Sequence, residues 1–504
     1  MLLKAIFKKN ILMGVLFFML SFSLTGKAYF KMTETCLKAQ VLIYELRITE
    51  AKSLLLLEKN SSPDNKAIVW LQEYCLYIDL FISENEVDYK KMQPEWKALI
   101  KELESQPFDD AWYRFILSDM YLHRAAMRLK MNENFAGGSD IKSANNLLKE
   151  NEKIYPSFLP DNKNLGLIKA LFSVIPKNYT WLGNLLGFEG NLEDGLNKIE
   201  IYLKSDLKGK EHQWLKTESA FIYALLQHNF QKKSKEAWLT IAPFTENYKN
   251  YILLNYMRAT IAGYAGKNEE QINILNAKPS HKSALPFYYM EYMLGVAKMR
   301  KLDPDAAIHL KLFTIKFKGK NYIKSAYRYL AWTQIMAGNT NSATTYYSLC
   351  TKHGQIYQEE DKQAMNEAID PMRWSKELIE ARLLFDGHYY KAALNKLDQI
   401  KVDQISQTKF LLELNYRKAR VYQEMNDYAN SLVLFEKVIS LGRQEKYYYA
   451  AYSALQMGAI YETLKNNVSA KLYYNKAIHD FPKNEEYVNS IEQKAKSGLK
   501  RVSK

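Results

Sequence analysis

Six residues in the second half of this 504-residue sequence have types suited to recognition chemistry: Arg328, Trp332, Arg382, Tyr416, Arg420 and Tyr452. A guanidinium presents a planar fork of donors that pairs bidentately with a carboxylate, and it stacks on aromatic rings. Arginines interleaved with aromatics therefore suit a partner that is acidic or ends in a carboxylate. The competing use of the same residues is internal, as ion pairs between neighbouring helices. Catalytic constellations are not apparent. The eight histidines are scattered, with no two within five residues, so no His-x-x-x-His zinc pair exists. There is no phosphate-binding Gly-rich loop before Lys-Ser/Thr, no Gly-x-Ser-x-Gly elbow and no dinucleotide fingerprint. The acidic run Glu359-Glu360-Asp361 reads as a solvated connection. No cofactor or metal is expected, and the chain reads as a non-enzyme.

The elements that would position the six residues are helices. Glycine (20) and proline (12) are scarce for this length, tyrosine is abundant (37), and strand signals are few, which favours an all-α chain packed by large amphipathic rings. The clearest organisation lies in residues 288–482. Gly295, Ala331, Ala381, Ala419 and Gly458 recur as small residues, and Ala307, Ala343, Ala393, Ser431 and Ala470 follow each by twelve positions. Small residues at such spacing let two helices of a pair approach closely. Slot-to-slot spacings of 36, 50, 38 and 39 place the extra residues in loops, the longest around 353–373, which reads as an added helix or a projecting loop. Ala451–Pro482 is the best-preserved copy, with Tyr461 and Tyr474 between its helices and Pro482 closing it.

Residues 288–482 resemble tetratricopeptide-repeat proteins, and the chain before them does so more weakly. The resemblance implies a right-handed α-solenoid of antiparallel helix pairs, with a concave groove that takes a protein or peptide partner. In that frame the six residues named above fall at exposed inner positions of the first helices. The likeness is degenerate, since the first-helix tryptophan slot holds Glu291, Tyr327, Asn415 and Ala454. A second, local resemblance covers Ser173-x-Ile175-Pro176 through Gly195-Leu196, which is similar to a segment of the TPR-39/Iml2 outer-membrane-associated proteins. Helical starch-binding-type outer-membrane lipoproteins have similar length and repeats. They carry a lipid-attachment cysteine and long Gly/Asn/Trp-rich loops, and both features are missing here.

Residues 1–28 read as a signal peptide: Lys4, Lys8 and Lys9 precede the apolar run Ile11–Leu24, and Gly26-Lys27-Ala28 offers small residues for cleavage before Tyr29. The expectation is an exported, periplasmic protein, docked at or near the outer membrane. Upstream of the clear array, 29–204 reads as divergent helical repeats containing a Gly-rich hairpin at 170–203, 205–287 as further helix pairs, and 483–504 as a capping helix. Within the first of these, one helix is expected over Cys36–Leu57, a second over Ala67–Ile82 and a third after Pro94. Asp109–Met131 is expected to be a long helix broken by Gly137-Gly138-Ser139, with Ala144, Leu148 and Pro156 at the spacing of a repeat's second half after a lengthened turn. Of the net charge of +15, four units belong to the leader, and the remaining lysines are spread among glutamates, so no nucleic-acid partner is expected. Contact with a membrane surface through Phe172–Leu196, or capture of a glycan or small ligand, are the alternatives to a protein-interaction scaffold. Cys36 and Cys75 are close enough in sequence to pair, or to serve as small apolar residues, as does Cys350.

Overall fold

The computed structural model describes residues 27–173, 190–369, 375–402, 408–482 and 488–503. Residues 1–26 of the expected signal peptide (1–28) and 174–189 of the expected Gly-rich hairpin (170–203) lie outside them, and the described ends of that hairpin segment fall in the helices Asp161–Phe172 and Leu192–Lys204. Among the described residues there are 24 α-helices and one isolated bridge, between Tyr29 and Asn65. The chain divides into two compact units. One holds the chain up to Ala265, with Asn273–Tyr289 and Phe317–Gly319. The other holds Gly266–Ile272, Met290–Lys316 and the chain from Lys320 onward. Each is an all-α stack of antiparallel helix pairs, the α-solenoid class.

The first unit contains α1 (Glu34–Tyr44), α2 (Ile48–Ser61), α3 (Lys66–Ser83), α4 (Glu86–Glu104), α5 (Ala111–Lys130), α6 (Asn134–Ile154), α7 (Asp161–Phe172), α8 (Leu192–Lys204), α9 (Lys210–Leu226), α10 (Ser234–Ile241) and α11 (Ile252–Tyr264). Helix α12 (Asn268–Asn276) is divided between the units. The second contains α13 (Tyr289–Arg300, from Met290), α14 (Ala306–Lys316), α15 (Ile323–Met336), α16 (Thr340–Lys352), α17 (Glu359–Ile369), α18 (Lys376–Asp386), α19 (Tyr390–Asp398), α20 (Thr408–Glu424), α21 (Tyr428–Gly442), α22 (Tyr449–Thr463), α23 (Asn467–His479) and α24 (Val488–Val502).

One turn recurs through both units. Seven residues after each small slot the chain enters the left-handed region: Leu302, Gly338, His388, Asn426 and Lys465, with φ between 58° and 79°. The next residue then donates its amide to the carbonyl five positions back, as Tyr389 does to Leu384 and Asn466 to Tyr461. That bond closes the first helix and satisfies a carbonyl the helix end would otherwise leave open. Five residues beyond the turn the second small slot packs against the first helix. Ala343, Ala393, Ser431 and Ala470 are buried there, and Ser431 returns its hydroxyl to the Ala419 carbonyl at 2.9 Å. In the first of these pairs the buried residue is Ala306, with Ala307 partly exposed, because Gly295 opens toward Leu310.

The same frame extends further upstream than the sequence suggests. Ala39, Leu46 (φ 59°) and Ala51 repeat the spacing, so the single helix expected over Cys36–Leu57 is a pair, α1 and α2. Ala125, Asn132 (φ 65°) and Gly137 repeat it again. Gly137 and Gly138 therefore lie inside α6 and do not break the helix. A Cβ on Gly137 would sit 3.0 Å from Leu129 and 3.3 Å from the Ala125 carbonyl, so glycine occupies the point of closest approach. Pro94 likewise sits within α4. The helix starts at Asn85, whose side chain accepts from the Val87 amide at 2.9 Å, and not after the proline. Trp96 is fully buried just beyond it, and that packing offsets the cost of an interior proline. Cys36, Cys75 and Cys350 are buried free thiols.

Candidate functional site

The second unit holds a cavity of about 370 Å³ where α18, α20 and the start of α22 meet. Four of the six sequence candidates, Arg382, Tyr416, Arg420 and Tyr452, line it. Their convergence follows from the repeat frame. Arg382 and Arg420 each come one residue after a small slot, on the face that turns away from the pair's own second helix. Tyr416 and Arg420, and Tyr448 and Tyr452, are spaced i, i+4 and so share a face. Among its other residues the wall holds Phe385, Asp386, Arg417 and Tyr448. Sequence reading missed these four, although each lies within four residues of a named candidate.

The guanidiniums are each backed by a carboxylate. Arg420 Nη2 pairs with Glu424 at 3.0 Å, while its Nε is buried without a hydrogen-bond partner. Arg417 pairs with Glu413, which is fully buried. Arg382 lies 3.9 Å from Glu367, its guanidinium 4.8 Å above the Trp332 ring. The aromatic wall is close-knit: Tyr416 contacts Tyr452 edge-on at 6.4 Å, and Tyr448 does so at 5.8 Å. Burial pushes the Tyr416 phenol above its ordinary range against the opposing pull of Arg420, so it stays a neutral donor. Three cationic side chains, one wall carboxylate and four aromatic rings form a site that can fork and stack onto a carboxylate-bearing group.

Arg328 and Trp332 do not reach the cavity wall. They were expected at exposed inner positions and are 3% and 1% exposed. The reason is α17, the added helix in the long 353–373 connection, which packs on α15 and α16. Its Glu367 accepts from Trp332 Nε1 at 2.5 Å and from the Tyr347 hydroxyl at 2.8 Å. Arg328 stacks on Trp332 at 5.1 Å. Nor is the acidic run a solvated connection throughout. Asp361 is fully buried and caps α15, accepting from the Tyr322 amide at 2.5 Å and the Ser325 amide at 2.9 Å. Burial, opposed by those two amides, pushes its carboxyl up to about 6.

The first unit contains a cluster that the sequence did not announce. Lys163 bridges Asp119 at 2.8 Å and Glu218 at 3.0 Å. His123 Nδ1 lies 2.9 Å from Glu73 and its Nε2 3.6 Å from Asp119. Trp96 donates to Glu73, Trp70 to Asp119, and Tyr74 to Glu218. Its charged members come from four helices, Glu73 on α3, Asp119 and His123 one turn apart on α5, Lys163 on α7 and Glu218 on α9. The only sequence trace is a lone charge inside an apolar run, as with Glu73 between Leu71 and Leu76. Among the described residues no group of three or more His, Cys, Asp or Glu is placed to hold a metal ion.

No family model matches the chain, and no curated protein does. Among solved structures, a chain in the crystal structure of the APC/C hetero-tetramer Cut9-Hcn1 aligns over 93% of this chain and 90% of its own length. The identity is 11% and the TM-score 0.27, and no property of that assembly carries over to this chain.

Proposed function

We propose that the protein is a non-catalytic interaction scaffold of the bacterial cell envelope, and that the cavity between α18, α20 and α22 takes an acidic segment of a partner protein. The observation that carries the reading is the convergence of Arg382, Arg417 and Arg420 with Phe385, Tyr416, Tyr448 and Tyr452 around one 370 Å³ cavity. A guanidinium offers five N–H donors, more than one backing carboxylate takes up. Aromatic rings and arginines are also the side chains that most often dominate binding energy at interfaces. The lysine-flanked apolar run at 4–24 supports export, and the lysine-rich composition suits a surface that repels basic partners. Among the described residues no helix is long and apolar enough to cross a membrane. The test is a crosslinking pull-down of the exported protein, repeated with Arg382→Glu and Arg420→Glu. Partner recovery should collapse in the double variant, and undiminished recovery would remove the cavity from the account.

A further inference from the structure

We propose that His123 is a proton-operated clamp in the first unit: charged, it ties α3 and α5 together across a buried set of carboxylates, and loss of its proton loosens that packing. The geometry carries the inference. The imidazole sits between two carboxylates from different helices, Glu73 on α3 (2.9 Å from Nδ1) and Asp119 one turn away on its own α5 (3.6 Å from Nε2). Its ring lies flat on Tyr77, with centroids 4.2 Å apart and planes 4° apart. Glu73 is fully buried and the Asp119 side chain 2% exposed. A doubly protonated ring donates to Glu73 through Nδ1 and points its second N–H at Asp119 across an ion-pair distance. A neutral ring has one N–H, so whichever acid keeps the bond, the other faces a nitrogen lone pair.

The groups around the ring leave no substitute cation. From α7 comes Lys163, already shared by Asp119 and Glu218. From α9 comes Glu218, which also accepts from Tyr74 of α3 and Tyr44 of α1. From α4 comes Trp96, bonded to Glu73. The two arginines of α5, Arg124 and Arg128, are both engaged by Asp140 of α6, and Tyr121 by Glu104. Three carboxylates therefore face one lysine, and only the imidazolium brings the set near balance. Burial alone would lower the His123 pKa, but Glu73 and Asp119 outweigh it and hold it above the ordinary histidine value. Because the folded-state value is raised, the stabilisation is fully present below about pH 6.5 and is lost as pH rises through the folded-state value. Glu73 acts in the same sense, since burial holds its carboxyl above the ordinary range and folding favours its protonated form.

The test uses the full-length protein labelled with ¹⁵N-histidine. The ring nitrogens of His123, assigned by the signal missing from His123→Gln, should titrate above pH 6.5. Amide hydrogen exchange in α5, corrected for intrinsic pH dependence, should speed up by about threefold or more between pH 6 and pH 8 in the wild type, and not in His123→Gln. A ring that titrates below pH 6.5, or an equal acceleration in the variant, overturns the proposal. If His123→Gln does not fold, its signals are assigned through bonds in the wild type. The wild-type titration and exchange then decide alone: a raised titration with matching α5 acceleration supports the clamp, and the absence of either refutes it.

Discussion

Replacing Lys163 with methionine should destabilise the first unit by about 3 kcal/mol or more. The Lys163 side chain is 4% exposed, and its ammonium forms ion pairs of 2.8 Å with Asp119 and 3.0 Å with Glu218. Methionine keeps most of the apolar stem, so the change isolates the charge. Burial alone would raise Asp119, but Lys163 and His123 together hold it down to about 2. Loss of all the groups that hold it down, of which Lys163 is the largest, would return it to about 3.9, nearly two pKa units or roughly 2.6 kcal/mol at 1.36 kcal/mol each. Burial with no lysine to oppose it adds to that figure. The sum agrees with the 3–5 kcal/mol (roughly) lost when one partner of a buried pair is removed. Denaturant unfolding followed by tryptophan fluorescence is the assay, because Trp70 and Trp96 both donate into the cluster. Lys163→Met combined with Asp119→Asn should cost less than the sum of the single changes, since the second removes the stranded charge. A loss below about 1 kcal/mol, or strict additivity, would refute the reasoning.

Other consequences are as direct. Gly458→Leu should cost at least about 2 kcal/mol, read by thermal melting and by proteolysis within α22–α23. A Cβ there would lie 2.6 Å from the ring of Tyr474, which Gly498 also confines. Asp361→Ala should remove a helix cap worth about 1–2 kcal/mol. Because the folded carboxyl is raised to about 6, wild-type stability should also decline as pH rises from about 4 to 6, and that component should vanish in the variant. The thiols should resist labelling at pH 8 in the native protein and all react after denaturation, since Cys36, Cys75 and Cys350 are buried and burial pushes the last two up to about 12.

The repeat frame was legible where small residues mark it, from Gly295 to Ala470, because close approach of two helices tolerates few side chains. It was illegible upstream for a physical reason. There the left-handed turn that closes each first helix is occupied by Leu46 and Asn132, and the first small slots are single alanines among many, so neither a glycine nor a clear series flags the break. Leu46 is fully buried, and that burial offsets the strain of its conformation. At the candidate site, residue types pointed to Arg382, Tyr416, Arg420 and Tyr452, which line one cavity. Arg328 and Trp332 were misplaced because α17 covers them, and its sequence is mostly polar, with one buried face marked by Asp361 and Ala364. The Lys163–His123 cluster was hidden because five helices contribute one to three groups each, and single-residue signals do not reveal a spatial set.

The most direct test of the central claim is a binding titration with two fluorescein-labelled peptides, hexaglutamate and hexalysine, against the wild type and the Arg382→Glu/Arg420→Glu variant. The cavity account predicts that the wild type binds hexaglutamate and not hexalysine, with affinity falling as salt screens the pairing. The double variant, with its helical content verified by circular dichroism, should lose at least about tenfold in hexaglutamate affinity, about 1.4 kcal/mol. Equal binding of both peptides by the wild type, or hexaglutamate binding that survives the charge reversal, would contradict it.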